Sequence, residues 1–160
     1  MSTKEEFCRN VRLYEKSMYY LAYSIVRNEA DAGEVISESI FRAYKNYSAL
    51  KSEKHFKAWM LQIVHNTAVE LIRKNSKYIP VEQMEETGSG DFGNEIITKI
   101  AVREAVESLK QPYRTVTVLY YYENLPVKAI ARITGTNIVT VKKQLSRSRK
   151  MLLEMLKEDF

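Results

Sequence analysis

A glycine set between two amphipathic runs near the C-terminal end of the sequence limits what this chain can become more than any other feature. In LPVKAIARITGTNIVTVKKQLSRSRKMLL, Leu125 to Leu153, the residues Ile130, Ala131 and Ile133 give a short helix one apolar face. Thr134-Gly135-Thr136 interrupts it, and Gly135 is free to take the positive φ that a tight turn between helices requires. Asn137 follows as an N-cap whose side-chain oxygen can accept a backbone N–H left unpaired at the start of a second helix. There Ile138, Val141, Leu145 and Leu152 form one stripe at spacings of three, four and seven, while Lys142, Lys143, Arg147, Arg149 and Lys150 occupy the other faces. No acid interrupts the helix from Ile138 to Leu153. A helix–turn–helix with a basic second helix suits the DNA major groove, although such pairs also occur in plain helical bundles with solvated basic faces.

The rest of the chain reads as helix as well. Five glycines and three prolines in 160 residues are few, and the 45% hydrophobic content recurs at helical rather than alternating spacing. The expected fold is all-α: two small helical bundles joined by a flexible acidic linker, the second holding the helix–turn–helix. Phe7, Val11, Tyr14, Met18, Leu21 and Ile25 mark a first helix from about Thr3 to Val26. A second, about Ala30 to Tyr47, buries Ile36, Ile40, Ala43, Tyr44 and Tyr47 and exposes Glu34, Glu38, Arg42 and Lys45. Ser52 caps a third that runs to about Arg73 on Phe56, Trp59, Met60, Ile63, Val64, Ala68, Leu71 and Ile72.

Charge divides the chain in the same way. Residues 1–74 carry a net +3, residues 75–98 a net −4 and residues 99–160 a net +6. Periodicity vanishes in the acidic stretch, where EQMEETGSGDFGNE reads as a solvated linker. It resumes with Ile96, Ile97, Ile100, Ala101, Ala105 and Leu109; Pro112 and Pro126 can each open a further helix, with Val116, Leu119 and Tyr120 facing inward. The expected division is 1–75, a linker at 76–94, and 95–160.

Several function classes lack their residues. There is no run of about 18 apolar residues to cross a membrane, and MSTKEEFCRN has no apolar core to serve as a signal peptide. A single cysteine, Cys8, fits a reducing cytoplasm and is expected to be a small packed residue. His55 and His65 lie ten positions apart, roughly 280° around a helix, and so share no face. No metal-ligand spacing, phosphate loop or nucleophile elbow is present, so neither catalysis, a cofactor nor a small-molecule substrate is expected.

Two segments carry a family resemblance. ADAGEVISESIFRAYKNY followed by FKAWMLQIVHNTAVELIRK resembles the promoter-opening domain of bacterial sigma factors. LKQPYRTVTVLYYYENLPVKAIARITGTNIVTVKKQLSRSRKML resembles their domain that reads the −35 element. Two such domains with no large insert resemble the extracytoplasmic-function subgroup of the sigma-70 family.

The resemblance implies partners and roles. It implies docking on core RNA polymerase through Glu34, Val35, Ile36, Glu38, Arg42 and Tyr44, with departures from the family pattern at Glu34, usually Asp, and Ser37, usually Gln. It implies a pocket for a flipped −10 base at Asn66, since an amide can pair with a base edge. Arg73 and Lys74 suit phosphate contacts, and equally the negative end of their own helix. On promoter DNA, Lys142, Lys143, Ser146 and Arg147 are expected to read the −35 duplex; Asn137, Thr140 and Lys150 are expected to hold phosphates. A membrane-bound anti-sigma factor is a further implied partner. The linker's acids fit either an imitation of nucleic acid inside the polymerase or a solubilising tether. Without the resemblance, an autonomous helix–turn–helix regulator with an N-terminal sensing or dimerising bundle stays open, as does an adaptor that binds only protein.

Overall fold

The computed structural model of the chain describes residues 3–76 and 94–159, with side chains described outside 94–98 and 158–159. The described residues form seven α-helices and no strand: α1 (Thr3–Val26), α2 (Glu29–Lys45), α3 (Phe56–Asn75), α4 (Asn94–Ser108), α5 (Tyr113–Thr117), α6 (Val127–Thr134) and α7 (Ile138–Asp159). Most of the expected acidic linker, residues 77–93, lies outside the described residues.

The first three helices pack on one another. On α1 the seam is as the spacing predicts, with Phe7, Met18, Leu21 and Ile25 buried. Asn28 caps α2, its Oδ1 accepting the Asp31 N–H at 2.8 Å, so this helix begins a residue before Ala30 and ends at Lys45. Its buried face is rotated from the expected one. Ala32, Val35, Ser39 and Ala43 point inward, Ile36 and Ile40 sit at the edge, and Tyr44 is half exposed. Three of those four inward side chains are small, which seats α2 closely and leaves the bulky Tyr44 ring at the rim, edge-on to Phe7 at 5.3 Å. Ser52 makes no side-chain cap; a single 3-10 turn, Glu53–His55, leads into α3 instead. Cys8 is exposed, not packed, because it falls one position past the α1 seam.

In the second group, α4 contributes Ala105 and Val106 to the interior, and Leu109, the residue just past its end, joins them. Beyond α5 the backbone widens into one π turn, Val118–Tyr122, closed by the Glu123 N–H donating to the Val118 carbonyl at 3.1 Å. The extra residue in that turn shifts the register. Leu119 stays buried, whereas Tyr120, expected inside, reaches solvent. Pro126 precedes α6, and Gly135 ends it at φ 71°. A β-carbon there would meet nothing within 4 Å, so the requirement for glycine is one of backbone conformation alone.

The two groups share a core. Met18, Leu21, Phe56, Met60 and Val64 belong to one buried cluster with Leu119, Ile130, Ile133 and Val141. Polar bonds reinforce the join: Arg27 donates to the Glu107 carbonyl at 2.6 Å, Lys57 to the Glu123 carbonyl at 2.7 Å, and Arg114 to the Ser24 carbonyl. Burial, with Arg27 nearby, lowers the Arg114 pKa to about 10, so the guanidinium stays charged near neutrality.

Candidate nucleic-acid interface and docking groove

The turn and its second helix are built as their residues require. The Thr136 N–H donates to the Ala131 carbonyl at 2.9 Å, which closes the end of α6 around left-handed Gly135. Asn137 Oδ1 accepts the Thr140 N–H at 2.8 Å. That bond occupies the Thr140 N–H and leaves the Asn137 amide donors and the Thr140 hydroxyl as the side-chain groups able to meet an oxygen outside. The N–H groups of Ile138 and Val139, which have no acceptor within a helix's first turn, point the same way.

Along α7, Val141, Leu145 and Ser148 are buried, and Ser148 Oγ donates to the Gln144 carbonyl at 2.8 Å. Ile138, expected on this stripe, is 41% exposed, at the first position of α7 after the turn. Lys142, Lys143, Ser146, Arg147 and Lys150 are all exposed together on the side away from Val141 and Leu145. Arg149 is held aside from them by a 3.2 Å bond to Tyr121 Oη. No local pattern signals that tyrosine's role, because Tyr121 lies within the π turn.

A second site lies between α2 and α3. A groove of about 460 Å³ is lined by Glu34, Ser37, Glu38, Arg42, Glu70 and Lys74, among others. Arg42 organises it, donating to Glu38 Oε1 at 3.0 Å and to Thr67 Oγ1 at 3.3 Å and pairing with Glu70 Oε2 at 2.7 Å. The bond to Glu70 is the main reason its pKa rises, so Arg42 is permanently cationic. Glu34 and Glu38 are exposed in the groove, whereas the partly exposed Ile36 and the exposed Tyr44, which packs on Phe7, lie outside its lining; Phe41 is a further exposed aromatic that helical spacing did not single out. Val35, expected on the docking surface, is fully buried beneath the groove that it helps to line.

On α3, Asn66, Arg73 and Lys74 are exposed. Trp59 is partly buried against Phe56 and Tyr47, with ring centroids 5.8 and 6.3 Å away. His65 faces the second helical group instead, in a cleft of about 350 Å³ shared with Ile25, Arg73, Thr136 and Gln144. Among the described residues no cluster of His, Cys, Asp and Glu could hold a metal ion, and no helix is long and apolar enough to cross a membrane.

Comparison with known proteins covers both sites. Residues 11–78 match sigma-70 region 2 and residues 99–152 match sigma-70, region 4. The chain is 32% identical over 149 residues to the RNA polymerase sigma factor SigV of Bacillus subtilis, across 91% of this chain and 89% of that protein. It is 26% identical over 170 residues to the ECF RNA polymerase sigma factor SigW of the same organism, across 97% and 91% of the two chains. Among solved structures, the sigma factor RpoE in complex with the anti-sigma factor NepR from Bartonella quintana has the same fold. Its TM-score is 0.76 at 20% identity, over 98% of this chain and 99% of that one.

Proposed function

The chain belongs to the sigma-70 family, in its extracytoplasmic-function subgroup, and directs promoter-specific transcription initiation; we propose that it divides this work among three surfaces. Lys142, Lys143, Ser146 and Arg147 on α7 read base edges of the −35 duplex, while Asn137, Thr140 and Lys150 hold its phosphates. Asn66 on α3 takes the edge of a −10 base drawn out of the stack, and Arg73 and Lys74 follow the strand's phosphates. Glu34, Glu38 and Arg42 dock on core RNA polymerase at the groove between α2 and α3, and Ile36 and Tyr44 extend that surface on the rest of α2. The observation that carries the reading is the exposed basic face of α7, which no acid interrupts from Ile138 to Leu153 and which the buried Val141 and Leu145 beneath it fix in direction.

Sigma factors are initiation factors, and this chain supplies no catalytic group of its own; bond formation belongs to the polymerase. Residues 1–75 act as the core-binding and −10 unit, 95–160 as the −35 unit, and 76–94 as the connection between them. Elements 25 base pairs apart span about 85 Å at 3.4 Å per pair, against a radius of gyration near 15 Å for a compact chain of this length. The two groups that share a core here therefore separate on the promoter. The chain works in the cytoplasm, where a membrane-bound anti-sigma factor holds it inactive; the solved relative in complex with an anti-sigma factor supports that partner. The family matches favour this account over an autonomous regulator that needs no polymerase.

Charge reversal tests the docking surface. Glu34→Lys with Glu38→Lys should leave helicity unchanged and sharply reduce co-purification with core polymerase, since both side chains are exposed. Undiminished association would remove α2 from the interface.

A further inference from the structure

Val139 is 61% exposed, more than either Ile138 at 41% or Leu153 at 58%, the other exposed large apolar side chains of α7. It has no place in the buried stripe. At roughly 100° per residue, Val139, Lys143, Ser146 and Lys150 fall within about 60° of one another, directly opposite Val141 and Leu145. Val139 is thus the first residue of the outward face, one turn ahead of Lys143, at the end of the helix that enters a major groove to meet base edges.

Single exposed apolar residues on a surface ordinarily need no explanation. The surroundings set this one apart, because every neighbour on that face is a cation or a hydroxyl. In the major groove, one base presents an apolar group among donors and acceptors: thymine, through its C5-methyl. A β-branched side chain in a helix holds nearly one rotamer, so Val139 offers a stiff apolar contact that loses little freedom on binding.

We propose that Val139 is a specificity residue of the −35 unit, selecting a thymine by covering its C5-methyl group. The proposal rests on the reading of α7 as the −35 helix, and it adds a base-reading contact by shape to the hydrogen-bonding residues. It also assigns the selectivity a direction. Uracil, which pairs as thymine does but lacks the methyl, is rejected along with cytosine.

The test uses the full chain assembled with core polymerase. Promoter DNA randomised over the −35 region is selected by holoenzyme binding, and each enriched thymine, on either strand, is then replaced by deoxyuridine. The expected result is one thymine whose replacement weakens binding about fourfold, the equivalent of one methyl group removed from water. Val139→Ala should weaken binding to the thymine promoter by a similar factor and make it indifferent to the deoxyuridine. An unchanged thermal melting curve would show that the variant is folded, since alanine suits a helix better than valine. Selection without any enriched thymine, deoxyuridine without effect, or an equal deoxyuridine effect in Val139→Ala each overturns the proposal while leaving α7 as the −35 helix. Selection with no −35 preference at all overturns both.

Discussion

Lys57 and Glu123 are 66 positions apart, yet Lys57 Nζ donates to the Glu123 backbone carbonyl at 2.7 Å and lies 3.5 Å from Oε1 of the same residue. Glu123 is buried just past the π turn and Lys57 is the second residue of α3, so this ammonium is one of the polar links between the two helical groups. Lys57→Met would leave a buried carboxylate without its cation. The expected loss is about 1–3 kcal/mol of stability, below that of a fully buried pair because Lys57 still touches solvent. Urea unfolding measures it; an unshifted midpoint would mean that water satisfies Glu123 unaided.

His65 should make stability depend on pH. Burial pushes its pKa below the ordinary 6.5, an effect that Asn66 partly offsets, and Arg73 lines the same cleft. The folded chain therefore resists a proton that the unfolded chain accepts. The contribution is fully present above about pH 6.5 and is lost as pH falls toward the depressed folded value. Melting temperatures from pH 7.5 down to 5.5 should fall in the wild type, and fall less in His65→Gln. The same slope in both would assign the pH dependence to other groups.

Two cations on α7 should behave differently. Arg147→Ala is expected to flatten preference at one or two −35 positions, since a guanidinium can fork onto guanine at roughly 1–3 kcal/mol of discrimination. Lys150→Ala should weaken every sequence alike and lower the salt slope by about one. Holoenzyme binding to a −35 mutant panel across a salt series separates them. If Arg147→Ala weakened all promoters equally, base reading would pass to Lys142 or Lys143.

The parts of this molecule that were legible in its sequence are those set by local chemistry. Gly135 and Asn137 have few alternatives to the left-handed turn and the cap that they form, and the α1 seam follows from spacing alone. Tyr44 and Tyr120 were misplaced for different physical reasons. On α2 the choice between two adjacent apolar stripes was decided by small residues that pack closely, which hydropathy cannot weigh. On the segment after α5, one π turn changed the register that helical counting assumes. The Lys57–Glu123 contact and the burial of His65 arise from the packing of two groups far apart in the chain, which no local pattern encodes.

Asn66 offers a narrower test of the −10 surface. Asn66→Ala should impair strand opening and −10 base preference while leaving −35 duplex binding near the wild-type level, because the exposed side chain has no part in the core. Permanganate reactivity of the melted region reads the first effect directly. Unchanged preference for the −10 base would reduce Asn66 to a surface residue.

Transcription in a purified system separates a sigma factor from an autonomous DNA-binding regulator. Core RNA polymerase, a promoter template chosen by holoenzyme selection, and the four nucleoside triphosphates are combined with and without this chain, and run-off RNA is measured. A transcript of defined length is expected only when the chain and the core enzyme are both present, and is lost when the −10 or the −35 element is scrambled. Sequence-specific DNA binding by the chain alone, with no promoter-dependent transcript on adding core polymerase, would instead make the chain an autonomous regulator.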